Sequence, residues 1–278
     1  MDDVYILDAT RTPWGKFGGA LKEHSASDLA AVLIRKLVER NDIDGGEIDN
    51  VILGQVLQAG EGQLPSRQAL IKGGLPETTP STLVNKVCGS GMRAVVMAAQ
   101  QVRLGESELL LAGGMESMSN VPYYDTYTRW GARMGNKPLI DGMVHDGLWC
   151  AFDDVHMANQ ADEMSARREV SRREMDEWSV RSQKGWAAAF NSGYFEREVT
   201  AVPNAREPKH VALEKDESPH PNSTVERLGR IAPVWGTQAI TAGNAPAVND
   251  GAAVLLVASE ERASKMNAKP LARVVAWS

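Results

Sequence analysis

One stretch, Ser81 to Leu104, constrains the fold more than any other part of the sequence. It opens with a short β-prone apolar run, Thr82 to Val87, of the kind that forms a buried strand. The small residues CGSG follow, beginning at Cys88, and from Met92 onward apolar residues recur at helical spacing. The pattern predicts a strand, a tight turn and an amphipathic helix, with a cysteine at the turn.

The position of Cys88 is typical of a nucleophile. A sharp turn lifts a side chain out at the edge of a sheet, and Gly89 and Gly91 permit backbone angles that larger residues resist. Free N–H groups and the positive end of the helix dipole favour a thiolate, so thiols in such surroundings have pKa values of roughly 3.5–7.5 rather than about 8.5. The alternative is a small buried cysteine beside an ordinary turn. The local pattern leaves both interpretations open.

Length, charge and cysteine content narrow the class of protein. A chain of 278 residues can bury a sizeable core in one large or two modest domains. Its net charge of −6 offers no basic field for nucleic acid or an anionic membrane. Cys88 and Cys150 lie far apart without CxxC spacing, which argues against a zinc site and a disulfide framework. With no signal-like or membrane-length apolar segment, we expect a cytoplasmic protein without metal, nucleic-acid or membrane partners.

Strand and helix patterns alternate over the first 120 residues, which predicts an α/β fold. Glu116 follows a predicted strand, where a carboxylate serves either as a general base or in packing. From about Val121 to Thr241 the alternation weakens, which predicts a large insertion. The predicted elements of the first part are strands at Val4–Asp8, Val51–Leu57 and Glu108–Ala112 and a helix at Asp28–Arg40.

Within the insertion, Ser171 and Glu174 have the spacing of a capping box and predict the start of an amphipathic helix. Cys150 has no motif around it, and we expect an inert packing thiol. A lone histidine such as His156 is on its own more typical of a satisfied structural residue. Residues 241–259 return to glycine-bounded strand character.

Several segments together resemble the thiolases, enzymes that make or break a carbon–carbon bond between acyl-CoA units. NKVCGSGMRA around Cys88 is similar to their nucleophile segment, RTPWGKFGG to their opening signature, and GGMESMSN to a packing segment. The resemblance implies an α/β, thiolase-like layered fold with a mixed β-sheet between helices, plus a large inserted loop domain. It implies an N-terminal α/β domain at 1–120 and 242–268, a CoA-binding and oligomer-forming loop domain at 121–241, and the first strand of a truncated C-terminal domain at 269–278.

The segment DGLWCAFDDVHM resembles the thiolase segment whose His and Met line the tunnel for the pantetheine arm of CoA. On this resemblance Leu148, His156 and Met157 become candidate CoA-binding residues. No covalently bound cofactor is implied, because coenzyme A and acetyl-CoA are substrates.

Further candidate CoA contacts follow the insertion. Ala242 is retained from the family's pantetheine-binding segment, whereas Pro246 stands where many members have a Ser or Thr that contacts the pantetheine. Because proline has no donor, we expect one substrate hydrogen bond to be missing. His220 stands where the family often has an Arg in its adenine-phosphate pocket, and we expect Arg227 to supply that charge.

A complete thiolase has a second α/β half with an Asn-Glu pair, a Gly-His-Pro histidine and a second Cys-Gly cysteine, and these 278 residues contain none of the three. We therefore expect a truncated polypeptide or one subunit of a split enzyme, inactive alone, with the missing C-terminal half as a partner. The family also implies a homodimer or homotetramer.

Three functions compete. The first is an acetoacetyl-CoA-type thiolase that forms or cleaves 3-ketoacyl-CoA through an acyl group on Cys88, because VCGSGM resembles those members. The second is another condensing enzyme of the thiolase superfamily. The third is a non-catalytic subunit of a split enzyme.

Overall fold

The computed structural model describes residues 3–277, so the outermost residues of the predicted terminal domains, 1, 2 and 278, lie outside it. The chain divides into two compact units. The first comprises the residues up to Val121, Arg197–Asp216 and the residues from Asn249 onward, and the second comprises Pro122–Glu196 and Glu217–Val248. The domain boundaries expected from the family resemblance stay predictions.

The helices and strands have the following bounds. The strands are β1 Val4–Arg11, β2 Gly15–Lys16, β3 Asn50–Gly54, β4 Ser81–Val84, β5 Leu109–Ser117, β6 Tyr123–Tyr124, β7 Ile140–Asp141, β8 Trp149–Cys150, β9 Val155–His156, β10 Val202–Pro203, β11 Val211–Leu213, β12 Asn249–Ser259 and β13 Ala272–Arg273. The α-helices are α1 Ala26–Arg40, α2 Pro65–Lys72, α3 Ser90–Leu104, α4 Met157–Arg167, α5 Arg172–Asn191, α6 Val225–Leu228 and α7 Glu260–Lys265. Short 3-10 segments lie at Gly45–Glu47, Met118–Asn120, Thr128–Trp130 and Tyr194–Arg197, and a π-helical segment at Met143–Leu148.

The first unit is built on a seven-stranded mixed sheet, as predicted. Its strand order is β13-β1-β12-β5-β3-β4, with β2 also paired to β12. β3 runs parallel to both β4 and β5, whereas β12 runs antiparallel to β1 and β5. β4 therefore lies at one edge of the sheet, directly before the turn that carries Cys88.

Helices cover both faces of this sheet. Because strand side chains alternate between the faces, neighbouring residues of β5 belong to different cores. Leu109 and Leu111 of β5 belong to the core that also contains residues of α1 and α2. Leu110 and Ala112 belong to a second core with residues of α3. α3 therefore packs on the face opposite α1 and α2, and its first turn lies at the strand ends.

Segment Arg197–Asp216 falls inside the predicted insertion but is part of the first unit, where Arg11 binds both of its ends. The Arg11 guanidinium contacts Glu198 through Nε at 2.7 Å and Asp216 through Nη1 at 2.7 Å. Asp216 is buried and also accepts a hydrogen bond from Trp14 N at 2.8 Å. These charge-assisted bonds fix the end of β1 and the loop after it to residues 187 to 205 positions away in sequence.

The second unit contains α4, α5, α6 and two short hairpins, β6–β7 and β8–β9. α5 begins at the capping box that the sequence predicted. Ser171 Oγ accepts from Glu174 N at 3.3 Å, and Glu174 Oε2 accepts from Ser171 N at 2.7 Å. Throughout residues 3–277, the helices are too short or too polar to cross a bilayer.

Candidate active site

Cys88 lies on the turn between β4 and α3 and is exposed. The strand stops at Val84, earlier than predicted, because Val87 has a left-handed φ of 50°. The glycines do not provide this bend, since Gly89 has a φ of −85°. A left-handed conformation costs a residue with a side chain about 1–2 kcal/mol, so surrounding contacts must hold Val87 in place.

Two side chains supply those contacts. Asn85 Oδ1 accepts from Val87 N at 2.9 Å, and Asn85 Nδ2 donates to Val56 O at 3.2 Å. Ser90 Oγ accepts from Lys86 N at 2.8 Å and donates to Val87 O at 2.5 Å. The turn before Cys88 is thus held by hydrogen bonds to Asn85 on one side and to Ser90 on the other.

Glycines allow the first turn of α3 to lie directly on the sheet. A Cβ on Gly54 would come within 2.3 Å of the carbonyl carbon of Ser90. A Cβ on Gly114 would lie 3.2 Å from Gly91 Cα. The backbone of α3 therefore approaches β3 and β5 more closely than side chains would permit.

Glu116, at the end of β5, has both carboxylate oxygens bonded to backbone. Oε2 accepts from Val56 N and Oε1 accepts from Leu57 N, each at 3.0 Å. These bonds draw the two N–H groups away from the sheet, so β3 ends at Gly54 rather than at the predicted Leu57. Burial raises the pKa of Glu116, against the lowering effect of the two backbone bonds. This geometry favours the packing role over the general-base role.

A pocket of about 480 Å³ opens beside Cys88 in the first unit. Val87, Met92 and Leu255 line it with apolar groups, and Trp14 and Glu116 also contribute. Met92 is 77% exposed, and the Trp14 ring lies so close to Gly251 that a Cβ there would come within 2.3 Å of it. The nucleophile candidate thus borders an open apolar surface.

The candidate CoA-binding residues all belong to the second unit. His156 is 7% exposed and caps α4, because its Nδ1 accepts from Ala158 N at 3.1 Å. Its ring stacks on Trp235 with centroids 4.2 Å apart, and burial lowers its pKa. Since Nδ1 accepts, the neutral ring carries its hydrogen on Nε2, which is buried and unpaired among the described residues. Met157, the next residue, is 37% exposed.

Ala242 and Pro246 are exposed on one loop of the second unit. That loop is anchored by Asn244, whose Nδ2 donates to Asp176 Oδ1 at 3.1 Å and to Ala239 O at 3.0 Å. Asp176 is 1% exposed and also pairs with Arg172 at 2.9 Å. The loop is therefore tied to α5 through a buried ion pair.

The remaining candidate CoA-binding residues are Arg227 and Leu148. Arg227 is exposed in α6 and donates from Nη1 to Asn222 O at 3.2 Å. Leu148 is half-buried at the end of the π-helical segment.

Cys150, in β8, donates from Sγ to Asp153 Oδ2 at 3.6 Å. No group of three or more metal-ligating side chains occurs within residues 3–277.

Sequence reasoning missed four residues of these sites: Asn85, Trp14, Trp235 and Asp176. For Asn85 a local signal existed, because asparagine commonly bonds the backbone N–H two residues later in a turn. Asp176 lies four residues after Arg172, a spacing typical of a helical ion pair. Trp14 and Trp235 have no local signal, because their partners are distant in sequence.

Comparison with known proteins gives the family. The model of the family described as "Thiolase, N-terminal domain" matches residues 4–261. The chain belongs to the thiolase family. This confirms the predicted family and the α/β thiolase-like fold, and with them an enzyme of the acyl-transferring thiolase class.

Named thiolase relatives match over nearly the whole chain. It is 41% identical over 279 residues to the "Probable acetyl-CoA acetyltransferase" of Escherichia coli (strain K12), covering 100% of this chain and 71% of that protein. Identity to the "Acetyl-CoA acetyltransferase" of Pseudomonas aeruginosa is 42% over 280 residues, with the same two coverages. The crystal structure of the Bacillus anthracis acetyl-CoA acetyltransferase superposes with a TM-score of 0.93 at 36% identity, covering 99% of this chain and 70% of that one.

Proposed function

We propose that this thiolase chain is the nucleophile-bearing part of an acetyl-CoA acetyltransferase of the acetoacetyl-CoA type. The observation that carries the proposal is Cys88 itself, exposed at the start of α3, on a turn held in a strained conformation beside an apolar pocket. Strain maintained by surrounding bonds is common at functional sites. The names of the bacterial relatives support acetyl-CoA as the substrate.

In the proposed reaction the Cys88 thiolate attacks the thioester carbonyl of acetyl-CoA. The bond between Cys88 Sγ and the carbonyl carbon forms, the bond to the CoA sulfur breaks, and CoA leaves as a thiolate that takes up a proton. The backbone N–H of Cys88 would stabilise the developing oxyanion. A second acetyl-CoA, deprotonated at its α-carbon, then attacks the acyl-cysteine, which releases Cys88 and gives acetoacetyl-CoA. Thiolysis is the reverse.

The second step needs a base, and Glu116 is a poor candidate because both its oxygens bond backbone N–H groups. We therefore keep the prediction that these 278 residues alone form no acetoacetyl-CoA and require a C-terminal thiolase half. The apolar pocket beside Cys88 supports a partner that covers this surface. A homodimer or homotetramer in the cytoplasm stays a prediction, and light scattering gives the oligomeric state.

We propose Leu148, His156, Met157, Arg227, Ala242 and Pro246 as the CoA contacts. The support is strongest for His156, whose buried Nε2–H lacks a partner among the described residues and so suits a ligand acceptor. His156→Asn keeps a residue that can cap α4 but removes the ring. Calorimetry should show CoA binding about tenfold weaker in this variant, which corresponds to about 1.4 kcal/mol. His210→Ala, at an exposed histidine paired with Glu207, is the matched control.

Selective alkylation tests the nucleophile assignment. Iodoacetamide near neutral pH should label Cys88 well before Cys150, and acetyl-CoA should slow the labelling of Cys88 only. Equal labelling of the two cysteines, or Cys150 first, would overturn the assignment.

A further inference from the structure

The turn before Cys88 contains a hydrogen-bonded bridge that neither the proposed chemistry nor CoA binding uses. The bridge is the carboxamide of Asn85, the first residue after β4. One end accepts from Val87 N at 2.9 Å, and the other donates to Val56 O at 3.2 Å. Asn85 thus joins the strained residue next to the nucleophile to the segment that follows the neighbouring strand, β3.

The far end of this bridge is itself fixed. Val56 follows β3, and its N–H donates to Glu116 Oε2 at 3.0 Å, while Leu57 N donates to the other oxygen of the same carboxylate. The peptide unit before Val56 is therefore bonded to Glu116, and the unit after it is bonded to both Glu116 and Asn85. Through them the end of β5 is linked to the turn.

The other end of the bridge, the bond from Val87 N to Asn85 Oδ1, determines the backbone conformation before Cys88. Val87 is a β-branched residue at φ 50°, a region that such side chains strongly disfavour. Asn85 Oδ1 can accept from Val87 N only while the turn is closed in this way. Ser90 holds the other side of the same residue through Val87 O. Release of the Asn85 bond would let Val87 return to negative φ and would turn the peptide that carries Cys88.

We infer that Asn85 is a positioning residue for Cys88, acting by holding Val87 in its left-handed conformation. The inference rests on the proposed role of Cys88 as the acyl-accepting nucleophile. Asn85 is not among the residues that line the pocket beside Cys88; it acts by setting the direction of the backbone that carries Cys88.

The test compares the iodoacetamide labelling rates of Cys88 and Cys150 within the same chain. In Asn85→Ala the ratio of the Cys88 labelling rate to the Cys150 labelling rate should fall by about tenfold, towards the ratio expected when neither thiol is activated. Asn191→Ala, at an exposed asparagine in α5, should leave the ratio as in the wild type. Cys150 serves as an internal control, because general loosening of the fold would raise both rates.

A rescue variant separates positioning from a merely structural effect. Glycine enters the left-handed region without the cost that valine meets, so Val87→Gly added to Asn85→Ala should restore part of the lost ratio. Saturation of Cys88 acetylation with acetyl-CoA gives a second readout. Asn85→Ala should lower the maximal rate constant and leave the half-saturating acetyl-CoA concentration unchanged, because Asn85 does not line the pocket beside Cys88.

The outcomes are distinguishable. A wild-type chain that labels both cysteines equally refutes the nucleophile role and, with it, the positioning role. Selective labelling of Cys88 in the wild type together with an unchanged ratio in Asn85→Ala overturns the positioning role alone. A lowered ratio that Val87→Gly fails to restore also overturns it, because Asn85 would then act through something other than the conformation of Val87.

Discussion

Gly54 allows α3, the helix that follows Cys88, to pack closely on the sheet, and substitution of Gly54 by alanine should lower both the stability of the fold and the reactivity of Cys88. The added Cβ would lie 2.3 Å from Ser90 C, 2.5 Å from Gly91 N and 2.6 Å from Ser90 O, where ordinary contact begins at 3.4 Å. Since all three atoms are backbone, no side-chain rotation relieves the clash, and α3 must retreat by about 1 Å. Overpacking of this kind costs about 1–3 kcal/mol, and we expect the upper end, about 3 kcal/mol.

Urea denaturation measures this cost, with Gly185→Ala as the matched control. Gly185 lies inside α5, and apart from its chain neighbours and the adjacent backbone of the helix no described atom lies within 4 Å of the position its Cβ would take. Alanine there should stabilise the protein by about 0.5–1 kcal/mol, because glycine is unfavourable inside a helix. The Gly54 variant should also acetylate Cys88 more slowly. Equal stability of Gly54→Ala and the wild type would refute the close packing of α3 on β3.

Three further predictions concern single side chains. Ser171→Ala removes the N-cap of α5 and should lower the free energy of unfolding by about 1 kcal/mol in urea titrations; no change would contradict the capping box. Asp176→Asn breaks a buried ion pair and should cost about 3 kcal/mol, whereas Glu177→Gln, in an exposed pair, should cost about 0.5 kcal/mol or less; equal losses would refute the anchoring role of Asp176. Burial raises the pKa of Glu116, so its stabilising contribution is complete below the unfolded value of about 4.3 and is lost as pH rises through the folded pKa. Wild-type stability should therefore fall relative to Glu116→Gln as the pH rises above the unfolded value of about 4.3, and a constant difference would contradict this.

The elements that local sequence patterns predict are those whose causes lie within a few residues. The α5 helix start follows from Ser171 and Glu174, which bond each other across one turn. The strand, turn and helix around Cys88 follow from apolar spacing and small residues. Two predicted strands ended too late, at Val87 and Leu57, because both ends depend on side chains whose roles only the fold reveals.

Hydrogen bonds and ion pairs between residues distant in sequence account for the features that local sequence patterns could not predict. Leu57 leaves the sheet for Glu116, 59 residues away, and Arg11 reaches Asp216 across 205 residues. Neither pairing produces a periodic signal. The residue types around Cys88 indicated a tight turn, but whether Val87 or a glycine carried the positive φ depended on the bonds from Asn85 and Ser90.

Acyl transfer to Cys88 tests the central claim most directly. The purified chain is incubated with acetyl-CoA, and intact mass with peptide mapping locates any adduct, with Cys88→Ser as the control. The account predicts a mass increase of one acetyl group on the peptide that contains Cys88, none on the Cys150 peptide and none in the control. Acetylation at Cys150, or no acetylation of Cys88 in the purified chain at saturating acetyl-CoA, would contradict it.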